Sequence, residues 1–208
     1  MAEAGGSAGA GGDAGAGEAA TSEADFLRGR LLIAMPDMPD PRFQRSLVYL
    51  CEHNAEGALG LVVNRPAEDL TIADLLGKLE IEIDDEDAGR ERLGLGGPVE
   101  PGRGFVLHSA DVRIPGSSLD VSDAVALTGT LDILRAIANG DGPRRRLVAL
   151  GYAGWGPGQL EREFRENGWL ACEADDALLF GEDAEGKWES ALAKLGISPA
   201  ILASGGRA

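Results

Sequence analysis

Two apolar runs separated by only four residues, SLVYLCEH (46–53) and ALGLVVNRP (58–66), set the strongest limit on what this chain can fold into. Their continuous apolar character predicts strands buried on both faces, unlike the alternating pattern of a half-wet meander. The linker Asn54-Ala55-Glu56-Gly57 makes the pair a hairpin.

Other elements follow from periodicity. GRLLIAMP (29–36) reads as a strand closed by proline, and MPDPRFQRS as an irregular turn in which Pro39 and Pro41 forbid regular pairing. Thr71 and Asp74 form a Thr-x-x-Asp capping pattern for a helix with Ile72, Leu75, Leu76 and Leu79 on one face. IDDEDAGRER is then expected to be a charged loop. GFVLHS (104–109) and VALTG (125–129) read as strands, Leu131 to Ala138 as a helix stopped at Gly140, and RLVALGYAG (146–154) as a central strand. A helix over 157–167, a strand GWLACEA (168–174), a further strand or turn DDALLFG (175–181) and a helix KWESALAKLG complete the order. Hairpins mixed with crossovers predict an α+β fold on a mixed sheet.

Composition bounds the function. Residues 1–25 are mostly Ala and Gly, with five acidic side chains and no basic ones, so burial cannot offset the entropy of ordering them and a disordered tail is expected, followed by a single domain over 26–208. The segment lacks a secretory signal's basic start and apolar core, and no run nears the roughly 20 apolar residues of a membrane span, so the chain reads as cytoplasmic with no membrane partner. The net charge of −16 falls to −11 once those five acids are set aside, which argues against direct nucleic-acid binding. Arg144-Arg145-Arg146 reads as a solvated turn guarding the strand that follows. Cys51 and Cys172 read as buried thiols.

GYAGWGPGQLERE (151–163) invites a phosphate-loop reading, but Gly154-Trp-Gly156-Pro-Gly158 breaks the G-x-G-x-x-G spacing and no Gly-Lys-Ser/Thr follows. What remains is a strand, a glycine turn and a helix, with Gly156 near the cap and Pro157 in the first turn. Free amides there would suit an anion. Against that, Glu161 and Glu163 already complement the helix dipole, Leu160 and Phe164 dock the helix, and Tyr152 and Trp155 pack over the turn. Cys51 and His53 share a strand face with metal-tolerant spacing, yet only His108 offers a second imidazole, so no metal or cofactor is expected. His108, Ser109 and Asp111 are too close in sequence for a hydrolase triad, because adjacent strand residues face opposite ways. His108, at a strand end, is the best single polar candidate.

Taken together, GRLLIAMPDMPDPRFQRSLVYLCEHNAEGALGLVVNRP, LGGPVEPGRGFVLHS and GYAGWGPGQLEREFRENGWL resemble the YqgE/AlgH family of small bacterial proteins over about residues 26–198. The positions that carry the resemblance include Met35-Pro36, Phe43, Ser46, Asn64, Pro66, Gly96-Gly97-Pro98-Val99, His108, Gly151 to Trp155, Gln159-Leu160-Glu161, Asn167 and Trp169. The resemblance implies a branched sheet curled into a pseudo-barrel with helices packed outside. It implies no reaction and hence no catalytic residue, although some members are labelled transcriptional regulators. The long Ala/Gly-rich tail departs from the family pattern.

Two functions remain open. In the first, a non-enzymatic regulatory or interaction protein presents the GYAGW turn, the GGPV loop and the hairpin to an unknown protein or small-molecule partner, through a surface drawn from Asn64, His108, Tyr152, Gly154, Trp155, Gly156, Gln159 and Glu161. Any transcriptional role would then be indirect. In the second, an enzyme or small-anion binder gathers Asn64 and the amides after Gly154 around His108, which acts as general base or proton donor.

Overall fold

The computed structural model describes residues 27–204; the segment 1–25, expected to be disordered, lies outside them. Strand alternation builds the framework. In β1 (Arg30–Ala34), Leu31 and Ile33 enter one hydrophobic cluster while Leu32 and Ala34 enter another on the opposite face. In β2 (Leu47–Asn54), Leu47, Tyr49 and Cys51 divide from Val48 and Leu50 in the same way. Burial on both faces therefore explains the continuous apolar runs.

The hairpin from β2 to β3 (Gly57–Val62) forms as predicted. It belongs to a mixed sheet of order β10 (Trp169–Glu173), β1, β2, β3, β9 (Arg146–Trp155), β6 (Val99–Ser109), β8 (Val125–Thr128), β7 (Ser118–Asp120). The sheet branches at β9. Along one edge β9 pairs in parallel with β5 (Arg92–Leu95) and then antiparallel with β3, and along the other it pairs with β6. β4 (Pro66–Thr71) joins through β5.

Helices cover both faces of this curled α+β half-barrel. Helices α1 (Ile72–Lys78), α2 (Glu86–Arg90) and α3 (Leu131–Ala138) close a cluster over Val106 and Val148, while α4 (Gln159–Arg165) places Leu160 against Leu32, Val48 and Trp169. Helices α5 (Asp176–Phe180) and α6 (Lys187–Lys194) deliver Leu178, Leu179, Trp188 and Leu192 to the cluster shared by β1, β2 and β6. A last helix, α7, spans Pro199–Ser204. The capping box of α1 forms as read, with Asp74 accepting from the Thr71 amide at 2.8 Å and Thr71 Oγ1 accepting from the Asp74 amide at 3.3 Å.

Several local expectations are corrected. The charged loop after α1 contains α2, because Asp85 caps it by accepting from the amides of Asp87 and Ala88. DDALLFG is helix α5 and not a strand, since Asp175 accepts from the Leu178 amide at 2.9 Å. The Pro39–Pro41 turn holds a short 3₁₀ turn, Pro41–Phe43, capped by Asp40. The arginine triplet is not merely solvated: Arg145 pairs with Asp176 and Arg146 with Glu91. Both cysteines are buried free thiols.

Candidate functional site

The end of β9 organises the site. Leu147 and Ala149 face one cluster and Val148 and Leu150 the other, yet two residues past Leu150 the order has reversed, with Tyr152 on the first cluster and Ala153 and Trp155 turned away from it. Gly151, at φ +71°, supplies the extra residue that switches the faces. The GGPV loop crosses here. A Cβ on Gly97 would strike the Tyr152 carbonyl, and one on Gly151 would strike the Gly97 carbonyl and lie 2.8 Å from that of Val99. These glycines serve backbone contact, which leaves them no phosphate to cradle.

Beyond Trp155 the chain turns into α4, whose N-cap is Gly158 at φ +67°. The helix therefore begins at Gln159, two residues later than expected, and excludes Pro157. Gln159 fills the place assigned to an anion: its Oε1 accepts from the Gly156 amide at 3.1 Å, and its own amide donates to the Gly156 carbonyl at 3.0 Å. One turn on, the Glu163 carboxylate accepts from the indoles of Trp155 at 2.9 Å and Trp169 at 2.7 Å, and from Gln159 Nε2 at 2.9 Å. Trp155, Trp169 and Phe43 pack as an aromatic triad. Glu163 thus fastens β9, α4 and β10 together, a role beyond complementing the helix dipole.

Glu161 pairs with His53. The Leu27 amide donates to His53 Nδ1 at 2.9 Å, which places the ring proton on Nε2, and Nε2 donates to Glu161 Oε1 at 2.8 Å. Burial raises the Glu161 pKa, but hydrogen bonds from its own amide and from His53 outweigh it and hold the carboxyl below its usual range. The expected shared face of Cys51 and His53 is not found. A bulge between Leu50 and Glu52 leaves Cys51 in the cluster with Tyr49 and turns His53 to α4.

His108 lies apart from all of this. It is fully buried on β6, opposite Arg146, which is nine residues, about 30 Å of extended strand, from Trp155. Its Nδ1 donates to the Ser109 carbonyl at 2.9 Å, and Nε2 accepts from Thr128 at 2.8 Å. Thr128 accepts in turn from Ser118 at 2.7 Å, and Ser118 from the Ile114 amide at 2.8 Å. The imidazole is thus held at both ring nitrogens by partners within the fold. Burial keeps its pKa below the ordinary value despite the opposing Ser109 bond. Ser109 instead donates to Asp111 at 2.5 Å, so no triad assembles. Asn64 is likewise committed to structure, accepting from the Leu47 amide at 2.7 Å and donating to the Arg45 carbonyl at 2.9 Å. The pocket expected to gather His108, Asn64 and the Gly154–Gly158 amides is not formed, because these groups sit on separate parts of the sheet.

Tyr152, Gly154 and Trp155 do converge, on an open groove of about 440 Å³ across the ends of β2, β3, β9 and β6. Glu52, Leu59 and Gly154 stand in cross-strand register, and Val99 pairs with Tyr152. Leu59, Val99 and the Tyr152 ring form an apolar floor, with Glu52, Asn54 and Glu56 along one rim. Gly154 keeps that floor open, since a Cβ there would lie 3.2 Å from the Tyr152 ring and 3.8 Å from Val99. Glu52, Glu56, Leu59 and Val99 carry no motif that reading the sequence could single out as a site; only the register of four strands brings them together.

The fold places the chain among small α+β half-barrel proteins. The AlgH-like family model (DUF179) matches residues 31–200, and the chain belongs to that family. A UPF0301 protein of Bradyrhizobium diazoefficiens is 52% identical over 189 residues, covering 88% of each chain. One from Caulobacter vibrioides is 54% identical over 188 residues, 89% of this chain and 96% of its own. The solution structure of the AlgH protein from Pseudomonas aeruginosa is similar at 41% identity and a TM-score of 0.74, covering 88% of this chain and 96% of that one. A Corynebacterium diphtheriae protein at 18% identity and a TM-score of 0.64 shares the fold.

Proposed function

We propose that this chain is a non-enzymatic interaction protein of the cytoplasm, which engages a protein or small-molecule partner through the groove floored by Leu59, Val99, Tyr152 and Gly154. The observation that carries this reading is a division of labour. The polar groups that chemistry would recruit, His108, Asn64, Gln159 and Glu161, are each bonded within the fold, whereas the groove offers apolar surface and open carboxylates to an outside molecule. Such a surface stabilises a complex mainly by burying apolar area. A regulatory effect on transcription would then be exerted through the partner, because the strong negative charge opposes contact with a phosphate backbone.

A thermal-shift screen of metabolites and peptides tests the proposal, since a ligand selective for the native state raises apparent stability. Stabilising ligands are expected to lose their effect on the Gly154→Val variant, whose new side chain occupies the floor. Ligands that stabilise wild type and variant alike would count against it.

A further inference from the structure

The rim of the groove narrows the choice of partner. Its lining carries Glu52 and Glu56 and, among the described residues, no lysine, arginine or histidine. Asn54 donates to Glu52 at 3.1 Å and accepts from the Glu56 amide at 2.8 Å, so one side chain organises the rim while both carboxylates keep oxygen free for an incoming donor. The apolar floor lies beside them. From Glu52 on β2 through Leu59 on β3 to Gly154 on β9 there are two strand spacings, about 10 Å, with the Tyr152 and Val99 side chains flanking the far end.

We propose that the groove takes a short extended segment of another protein, with a lysine or arginine at the Glu52–Glu56 rim and an aliphatic or aromatic anchor against Leu59, Val99 and Tyr152. An extended chain advances about 3.3 Å per residue, so a separation of two to three positions between cation and anchor spans the distance. The chain's own N-terminal segment is a poor occupant: residues 1–25 hold five acidic side chains and no basic one. A second copy carrying the same charge of −16 is disfavoured for the same reason. The partner is therefore a different, basic chain, and the rim charges steer it while the floor holds it.

This inference rests on the groove being the binding surface, and its test separates the two ideas. Isotope-labelled full-length protein is titrated with glycine-serine peptides carrying one arginine and one phenylalanine, spaced two or three positions apart in one series and adjacent or far apart in another. The expected result is perturbation of the Leu59, Val99, Tyr152 and Gly154 amides by the first series, with weaker binding by the second. Binding by the Glu52→Gln, Glu56→Gln double variant should be about tenfold weaker, because two charge-assisted contacts are lost. Added salt should weaken binding to the wild type as well, a readout that requires no variant.

Indifference to charge, salt or spacing overturns the proposal, as does spermidine reproducing the peptide's effect. Should neutral ligands perturb the groove amides while the arginine peptides do not, the partner chemistry is wrong and the groove reading stands. If no ligand perturbs them, both fall.

Discussion

His108 and Lys187 are each buried against carbonyl or hydroxyl oxygens, and each ties stability to pH. Burial places the native His108 pKa below its ordinary 6.5, so just beneath that value the unfolded chain binds a proton that the native state refuses. Its contribution is complete above about pH 6.5 and declines as the pH falls toward the native value. Replacing His108 with Gln should flatten that acid limb in denaturant midpoints measured across the range. The His108→Leu variant should in addition cost about 2 kcal/mol, because it leaves the buried Thr128 hydroxyl without its partner. Lys187 donates to the carbonyls of Val63 at 3.0 Å and Leu179 at 3.2 Å, and burial lowers its pKa from 10.5 to about 8. Between those values the unfolded chain again binds more protons, so stability should rise with alkalinity from about pH 8. The rise should be absent in Lys187→Met. It is best read between about pH 8 and 9, since burial raises the Cys51 and Cys172 thiols above their ordinary 9.0 and the Tyr49 phenol to about 12, and the ionisation of these groups in the unfolded chain acts in the opposite sense at higher pH.

At the scale of elements, β9 and α4 depend on contacts that no local pattern announces. Removing the Glu163 carboxylate strands two indole donors and the Gln159 amide, so Glu163→Ala should destabilise by about 3 kcal/mol in chemical denaturation with tryptophan fluorescence. A loss below about 1 kcal/mol would show that the three elements hold together without it. Gly151→Ala should cost about 3 kcal/mol or more, because the positive φ and the Gly97 and Val99 carbonyls leave no room for Cβ. The existence of β9 was legible in RLVALGYAGW, and the capped start of α1 in Thr71 and Asp74, because periodicity and capping are local. The reversal of faces at Gly151 was not legible, since the bulge is imposed by the GGPV loop some fifty residues earlier. β4 escaped notice for a related reason: PAEDLT has little intrinsic strand preference and is held by pairing with β5. DDALLFG reads as a strand or turn, because a five-residue helix is too short to show a period and only the Asp175 cap reveals it.

For the whole molecule, mixed hairpins and crossovers disclosed an α+β class, and the order of the family motifs disclosed the half-barrel. The site was legible only in part. Tyr152, Gly154 and Trp155 were visible as an unusual glycine-aromatic turn, and they do line the groove. Leu59 and Val99 come from strands whose pairing with β9 joins positions about fifty to a hundred residues apart, and Glu52 and Glu56 arrive with them through β2 and the hairpin turn, an arrangement that sequence pattern leaves open. His108, Asn64, Gln159 and Glu161 stood out because polar residues within apolar surroundings draw attention, yet burying them requires hydrogen-bond partners whatever the function. Their bonding within the fold, set against an apolar groove whose rim carboxylates keep oxygen free, is why binding is favoured over catalysis.

The central claim is that the molecule meets its partner over Leu59 and Gly154. A crystal structure of the full chain with a ligand that stabilises the wild type but not Gly154→Val tests it most directly. The ligand is predicted to lie between Glu52 and Val99 with its apolar part against the Tyr152 ring. A ligand found instead on His108 and Thr128, or displacing Gln159 from the Gly156 amide, would contradict the account.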